Sequence, residues 1–151
     1  MKRGVWALCL AAMLAALPAI APEMHGESDI FAAHGVALAW AIARGPDEAR
    51  TFVVVRVMTH PSIRALTVKG RDPFTKSSRT WLDAQPMAGQ RDVRIPRAAF
   101  ADFPHTEWQF LAADGEPRLT VSYHGVPDTT PEFADAAKMD AYLEHRVRNA
   151  E

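Results

Sequence analysis

The segment TEWQFLAADGEPRLTVSYH, residues 106–124, decides the fold. Large apolar residues occupy alternate positions on both sides of Asp114-Gly115: Trp108 and Phe110 before it, Leu119, Val121 and Tyr123 after it. A period of two marks a strand with one buried face, and Asp-Gly between two such runs is the strongest short hairpin signal. With Asp114-Gly115 as a two-residue turn, Phe110 faces Leu119 and Trp108 faces Val121, an aromatic–aliphatic ladder suited to a core. A three-residue loop would slip the pairing by one and set Trp108 against Thr120.

The same pairing gives the other face a polar character. Leu111 lies by Arg118, Gln109 by Thr120, Glu107 by Ser122, and His105 directly across from His124. Opposed residues of this kind have Cβ atoms about 4.5–5.5 Å apart, so two imidazoles and the Glu107 carboxylate project from one patch. Neutral imidazole suits copper or zinc, and a nearby carboxylate can complete a three-ligand site. His105, His124 and Glu107 are therefore the candidate metal ligands. The competing reading is a solvated polar face, which antiparallel sheets commonly present.

Working outward, Val36, Leu38, Trp40 and Ile42 alternate with Ala37, Ala39, Ala41 and Ala43, a strand with one bulky and one small face. The Gly45-Pro46-Asp47-Glu48 turn joins it to the β-branched run Thr51 to Met58. Pairing Trp40 with Val54 and Ile42 with Phe52 would bring His34 and His60 together, in a register weakly pinned because Phe52 to Val55 is apolar on both faces. Ile63 to Lys69, Arg79 to Ala84 and Asp92 to Pro96 read as shorter strands, and Pro96 to Phe103 as one helical turn. Trp81, Trp108, Phe110 and Tyr123 suit either a core or a ligand groove.

Thr130 as cap, Pro131 at the first helical position and Glu132 open a helix to about Arg148. Phe133, Ala136, Met139, Leu143 and Val147 share one of its faces. The whole predicts an all-β chain: an antiparallel β-sandwich of immunoglobulin-like type, about seven strands over residues 35–130, with a C-terminal α-helix over 131–149 packed on the same domain.

The beginning of the chain has a different role. Lys2 and Arg3, the apolar run Gly4 to Leu17 and the triplet Ala19-Ile20-Ala21 form the three parts of a bacterial Sec-type signal peptide over residues 1–21, followed by a polar lead-in over 22–34. The run is shorter than the ~20 residues of a spanning helix, so no stable membrane span is expected unless the segment stays uncleaved. Pro22 leaves the cleavage position open. Loss of residues 1–21 would remove the only cysteine, Cys9, and leave 15 basic and 18 acidic residues. A near-neutral to acidic chain lacks the basic footprint of a nucleic-acid binder. No Gly-x-Ser-x-Gly elbow or phosphate-cradling glycine loop is present, and no catalytic activity is expected. Two functions fit: a periplasmic or secreted accessory protein that contacts another envelope protein through a sandwich face or the helix, and a periplasmic copper- or zinc-binding protein using His105, His124 and Glu107.

Overall fold

The computed structural model describes residues 28–31 and 35–149; residues 1–21, expected to be a signal segment and containing Cys9, lie outside them, as do His25 and His34. Nine strands are formed among these residues: β1 (Ser28–Phe31), β2 (Val36–Ala43), β3 (Phe52–Thr59), β4 (Ile63–Arg71), β5 (Ser78–Pro86), β6 (Gln90–Pro96), β7 (His105–Ala112), β8 (Pro117–His124) and β9 (Glu132–Phe133). Two helices accompany them, the single turn α1 (Ala99–Asp102) and α2 (Ala136–Arg148). The first sheet runs β1-β2-β3-β6, with β9 added parallel to β2, and the second runs β5-β4-β7-β8. No helix among the described residues is long and apolar enough to cross a membrane.

The alternation of β2 is used on both sides. Val36, Leu38, Trp40 and Ile42 enter the core between the sheets, where Trp40 makes edge contacts with Trp108 and Tyr123 at centroid distances of 5.6 and 5.0 Å. Trp108, Phe110 and Tyr123 are fully buried there, as members of the core. Ala39 and Ala41 face outward, under Met139, Leu143 and Val147 of α2. The small residues allow the helix to lie close to the sheet. Thus α2 forms a third layer on the outer face of the first sheet.

One charged residue lies under that helix. Arg56, 5% exposed, extends from β3 and forms a two-pronged bond to Asp92 of β6, at 2.7 and 2.8 Å, and a third to Asp140 of α2 at 2.6 Å. Its pKa is raised above the ordinary arginine value, foremost by the Asp92 hydrogen bond and against the cost of burial. A guanidinium fork satisfied this completely can be buried, whereas a lone charge could not. It ties β3, β6 and α2 together.

Several expectations are corrected. The β2–β3 register sets Trp40 opposite Val55 and Ile42 opposite Val53, one residue away from the expected pairing. This shift matches bulky residues with Val53, Val55 and Val57 in the core and leaves Val54 under the helix. Ser28–Phe31, assigned to the lead-in, pair along β2 instead. The β7–β8 connection is a three-residue loop: the Gly115 N–H donates to the Ala112 carbonyl, and the Ala112 N–H to that of Glu116. Gly115 supplies the left-handed φ of +82° that this loop needs. A bulge then absorbs the slip, because Leu111 pairs with Pro117 while Phe110 pairs with Leu119, making Arg118 the extra residue.

The helix also starts later than its first signals suggest. The carbonyls of Pro131 and Phe133 accept the N–H groups of Ile42 and Arg44, which commits these residues to β9, and Asp135 caps α2 through the N–H groups of Ala137 and Lys138. Glu132, bound by Arg44 and Arg97, pins β9 in place; its carboxyl is held below the ordinary glutamate range, chiefly by Arg44.

Both packing layers are open to measurement. Ala41→Leu should force α2 off the sheet and cost about 1–3 kcal/mol, and Leu143→Ala should cost about 2–5 kcal/mol, in reversible chemical denaturation. A neutral Ala41→Leu would mean that the helix does not rest on β2.

Candidate functional site

With α2 on the first sheet, the outer face of the second sheet has no helical cover. Its residues form a lattice fixed by register. Arg71, His105 and His124 make one row across β4, β7 and β8; Lys69, Glu107 and Ser122 make the next; Thr67, Gln109 and Thr120 the third. On the edge strand β5, Ser78 extends the first row and Thr80 the second.

The expected pairing of His105 with His124 is present. The Nε2 of His105 lies 3.1 Å from the Nδ1 of His124, with the rings edge to face and centroids 4.6 Å apart. One imidazole must donate and the other accept. Glu107 shares the face but turns to Arg71, at 3.1 Å across the diagonal of the lattice. Among the described residues, no group of three or more His, Cys, Asp or Glu side chains is arranged to hold a metal ion. His60 is spent on Ser62, and Met58 packs under α2.

The β4–β5 loop borders this face. Asp72 organises it: one carboxylate oxygen accepts the Phe74 N–H at 2.8 Å and the other the Thr75 hydroxyl at 2.7 Å, while the Asp72 carbonyl accepts the Lys76 N–H at 2.9 Å. Lys76 consequently sits at a left-handed φ of +62°. Between loop and sheet lies an open groove of about 730 Å³, lined by Lys69, Arg71, Lys76, His105, Glu107 and Ser122 among others. Cations and hydroxyls predominate in its lining.

Two features of this site escape a reading of periodicity. Gly70 interrupts the apolar pattern because Trp81 crosses over β4 there; a Cβ on Gly70 would come within 2.5 Å of the indole and 2.8 Å of Phe103. Trp81 in turn meets Phe100 at a tilt, with centroids 5.5 Å apart, and Phe103 edge-on at 6.5 Å. The Asp72 cage was signalled only by Gly70-Arg71-Asp72-Pro73 as a turn. No family model, curated protein or solved structure matches the chain.

The Asp72 carboxyl is held below the ordinary aspartate range, first by the Thr75 hydroxyl and then by the Phe74 N–H. A lowered folded value contributes order that is complete above the ordinary aspartate pKa and lost as pH falls through the folded one. Amide exchange at residues 74–76, corrected for intrinsic rate, should therefore be flat from neutral pH to the ordinary aspartate range and accelerate below it. In Asp72→Ala it should be fast throughout. Equal protection in the two proteins would show that the carboxylate does not order the loop.

Proposed function

We propose that this protein is an exported accessory protein of the bacterial envelope, periplasmic or secreted, which binds another envelope protein through the outer face of its second sheet. The observation that carries the reading is the difference between the two outer faces: one is sealed by α2, the other is an open lattice of Lys69, Arg71, His105, Gln109, Thr120 and Ser122. The helix is the weaker candidate for docking, since Leu143 is fully buried and Phe133 packs against Tyr142 at 5.3 Å. Export rests on the three-part pattern of residues 1–21.

The sandwich is read as immunoglobulin-like. Taken in chain order as strands A, B, C, C′, E, F and G, β2 to β8 give an A-B-E sheet facing a C′-C-F-G sheet. β1 and β9 are additions along the A-strand edge.

A second reading, copper or zinc binding at His105, His124 and Glu107, draws on the 3.1 Å approach of the two ring nitrogens, close to the roughly 3.3 Å that two imidazoles span on a tetrahedral ion. It requires Glu107 to leave Arg71.

Gln109→Glu with Thr120→Lys should abolish co-purification of the partner from envelope extracts while changing folding stability by less than about 1 kcal/mol, because the two side chains lie directly opposite each other on the outer face and carry opposite charges. Retention of the partner would place contact elsewhere. For the second reading, calorimetric titration with copper and zinc should show binding that His105→Ala and His124→Ala each remove; unchanged binding would eliminate that site.

A further inference from the structure

Phe74, at the tip of the β4–β5 hairpin, is 91% exposed, the one exposed large hydrophobic residue among those described. The loop is ordered by the Asp72 carboxylate, the Thr75 hydroxyl and backbone N–H groups, none of which uses the phenyl ring. A scattered apolar side chain on a surface needs no explanation by itself. The charge around this one is different.

Residues 69–79 hold Lys69, Arg71, Lys76 and Arg79 against a single acid, Asp72, whereas the rest of the chain from Pro22 onward holds 11 basic and 17 acidic residues. Basic charge is thus concentrated on this hairpin in an otherwise acidic chain. Register distributes it over both faces: Lys69 and Arg71 fall in the outer lattice, while Arg79 is opposite Gly70 and so belongs to the other face. Arg71 shares its charge with Glu107, which leaves Lys69, Lys76 and Arg79 to carry the attraction.

An aromatic tip backed by cations matches an anionic phospholipid surface, where a ring enters the boundary between headgroups and acyl chains and ammonium or guanidinium groups meet phosphates. A pocket on a protein could take the ring, but would not call for cations on both faces of the hairpin. We propose that the β4–β5 hairpin docks the protein reversibly on anionic phospholipid, with Phe74 as the wedge and Lys69, Lys76 and Arg79 as the phosphate contacts. This extends the reading of the open face: the hairpin holds the protein at the membrane surface, and the lattice beside it meets the partner.

The test is partition of the protein, as recovered from the envelope of an expressing bacterium, onto phosphatidylcholine vesicles with and without phosphatidylglycerol. Binding should require phosphatidylglycerol and weaken steeply with salt. Phe74→Ser should lower the partition coefficient about tenfold, and Lys76→Gln and Arg79→Gln about fivefold each, all with the far-ultraviolet spectrum of the parent. Gln109→Glu with Thr120→Lys, which alters the open face without changing its net charge, should leave it within about twofold, so that failure of the hairpin and failure of the open face are distinguishable. Equal binding with and without phosphatidylglycerol, or unchanged binding by Phe74→Ser, overturns the proposal. So does a Phe74→Ser protein that binds vesicles normally but loses an envelope protein, which would assign the ring to a protein pocket.

Discussion

The two-sided packing of β2 is the constraint from which the rest of the molecule follows. Its bulky residues anchor the core between the sheets, and its alanines lower one outer face enough for α2 to lie on it. Neither layer tolerates a shift of register, since a slip of one residue would send Trp40 toward the helix and an alanine into the core. Arg56 reinforces the arrangement from the next strand. Held by Asp92 and Asp140, it adds a directional link between sheet and helix to an otherwise apolar contact.

That arrangement decides which outer face stays uncovered. Once α2 occupies the first sheet, the second sheet presents its four strands to solvent, and their polar positions line up as rows because the pairing is regular from His105 to Phe110. Beside these rows the Asp72 cage holds a charged hairpin tip in a fixed shape. This surface is polar and open on one side. The apolar face of the helix, already covered, is built to stabilise.

Much of this is legible in the sequence where one face of a strand is buried and the other wet. The alternation from Thr106 to Tyr123 places the core ladder and the His105–His124 pair correctly, even though the turn holds one more residue than expected. The bulge at Arg118 restores the register, and a bulge leaves no mark in apolar periodicity. The first hairpin was harder, because Phe52 to Val55 is apolar at every position and selects no register. That uniformity was itself a signal: a strand apolar on both faces is covered on both, here by the opposite sheet and by α2. The start of α2 was obscured by competition, since Thr130-Pro131-Glu132 resembles a helix opening while its carbonyls serve better as an added strand on β2. Glu107 illustrates a different limit. Register placed it beside the histidines, but the proximity of Arg71 came from a third strand, through pairing that local sequence does not specify.

The account rests on α2 being an integral layer of the sandwich rather than a detachable arm. Native-state hydrogen exchange tests this most directly. Amides in the middle of α2 should open with a free energy within about 1 kcal/mol of those in β2 and β3, as members of one cooperative unit. Exchange of α2 through a separate opening several kcal/mol lower would contradict the account, because the alanine face of the first sheet would then be available to a partner.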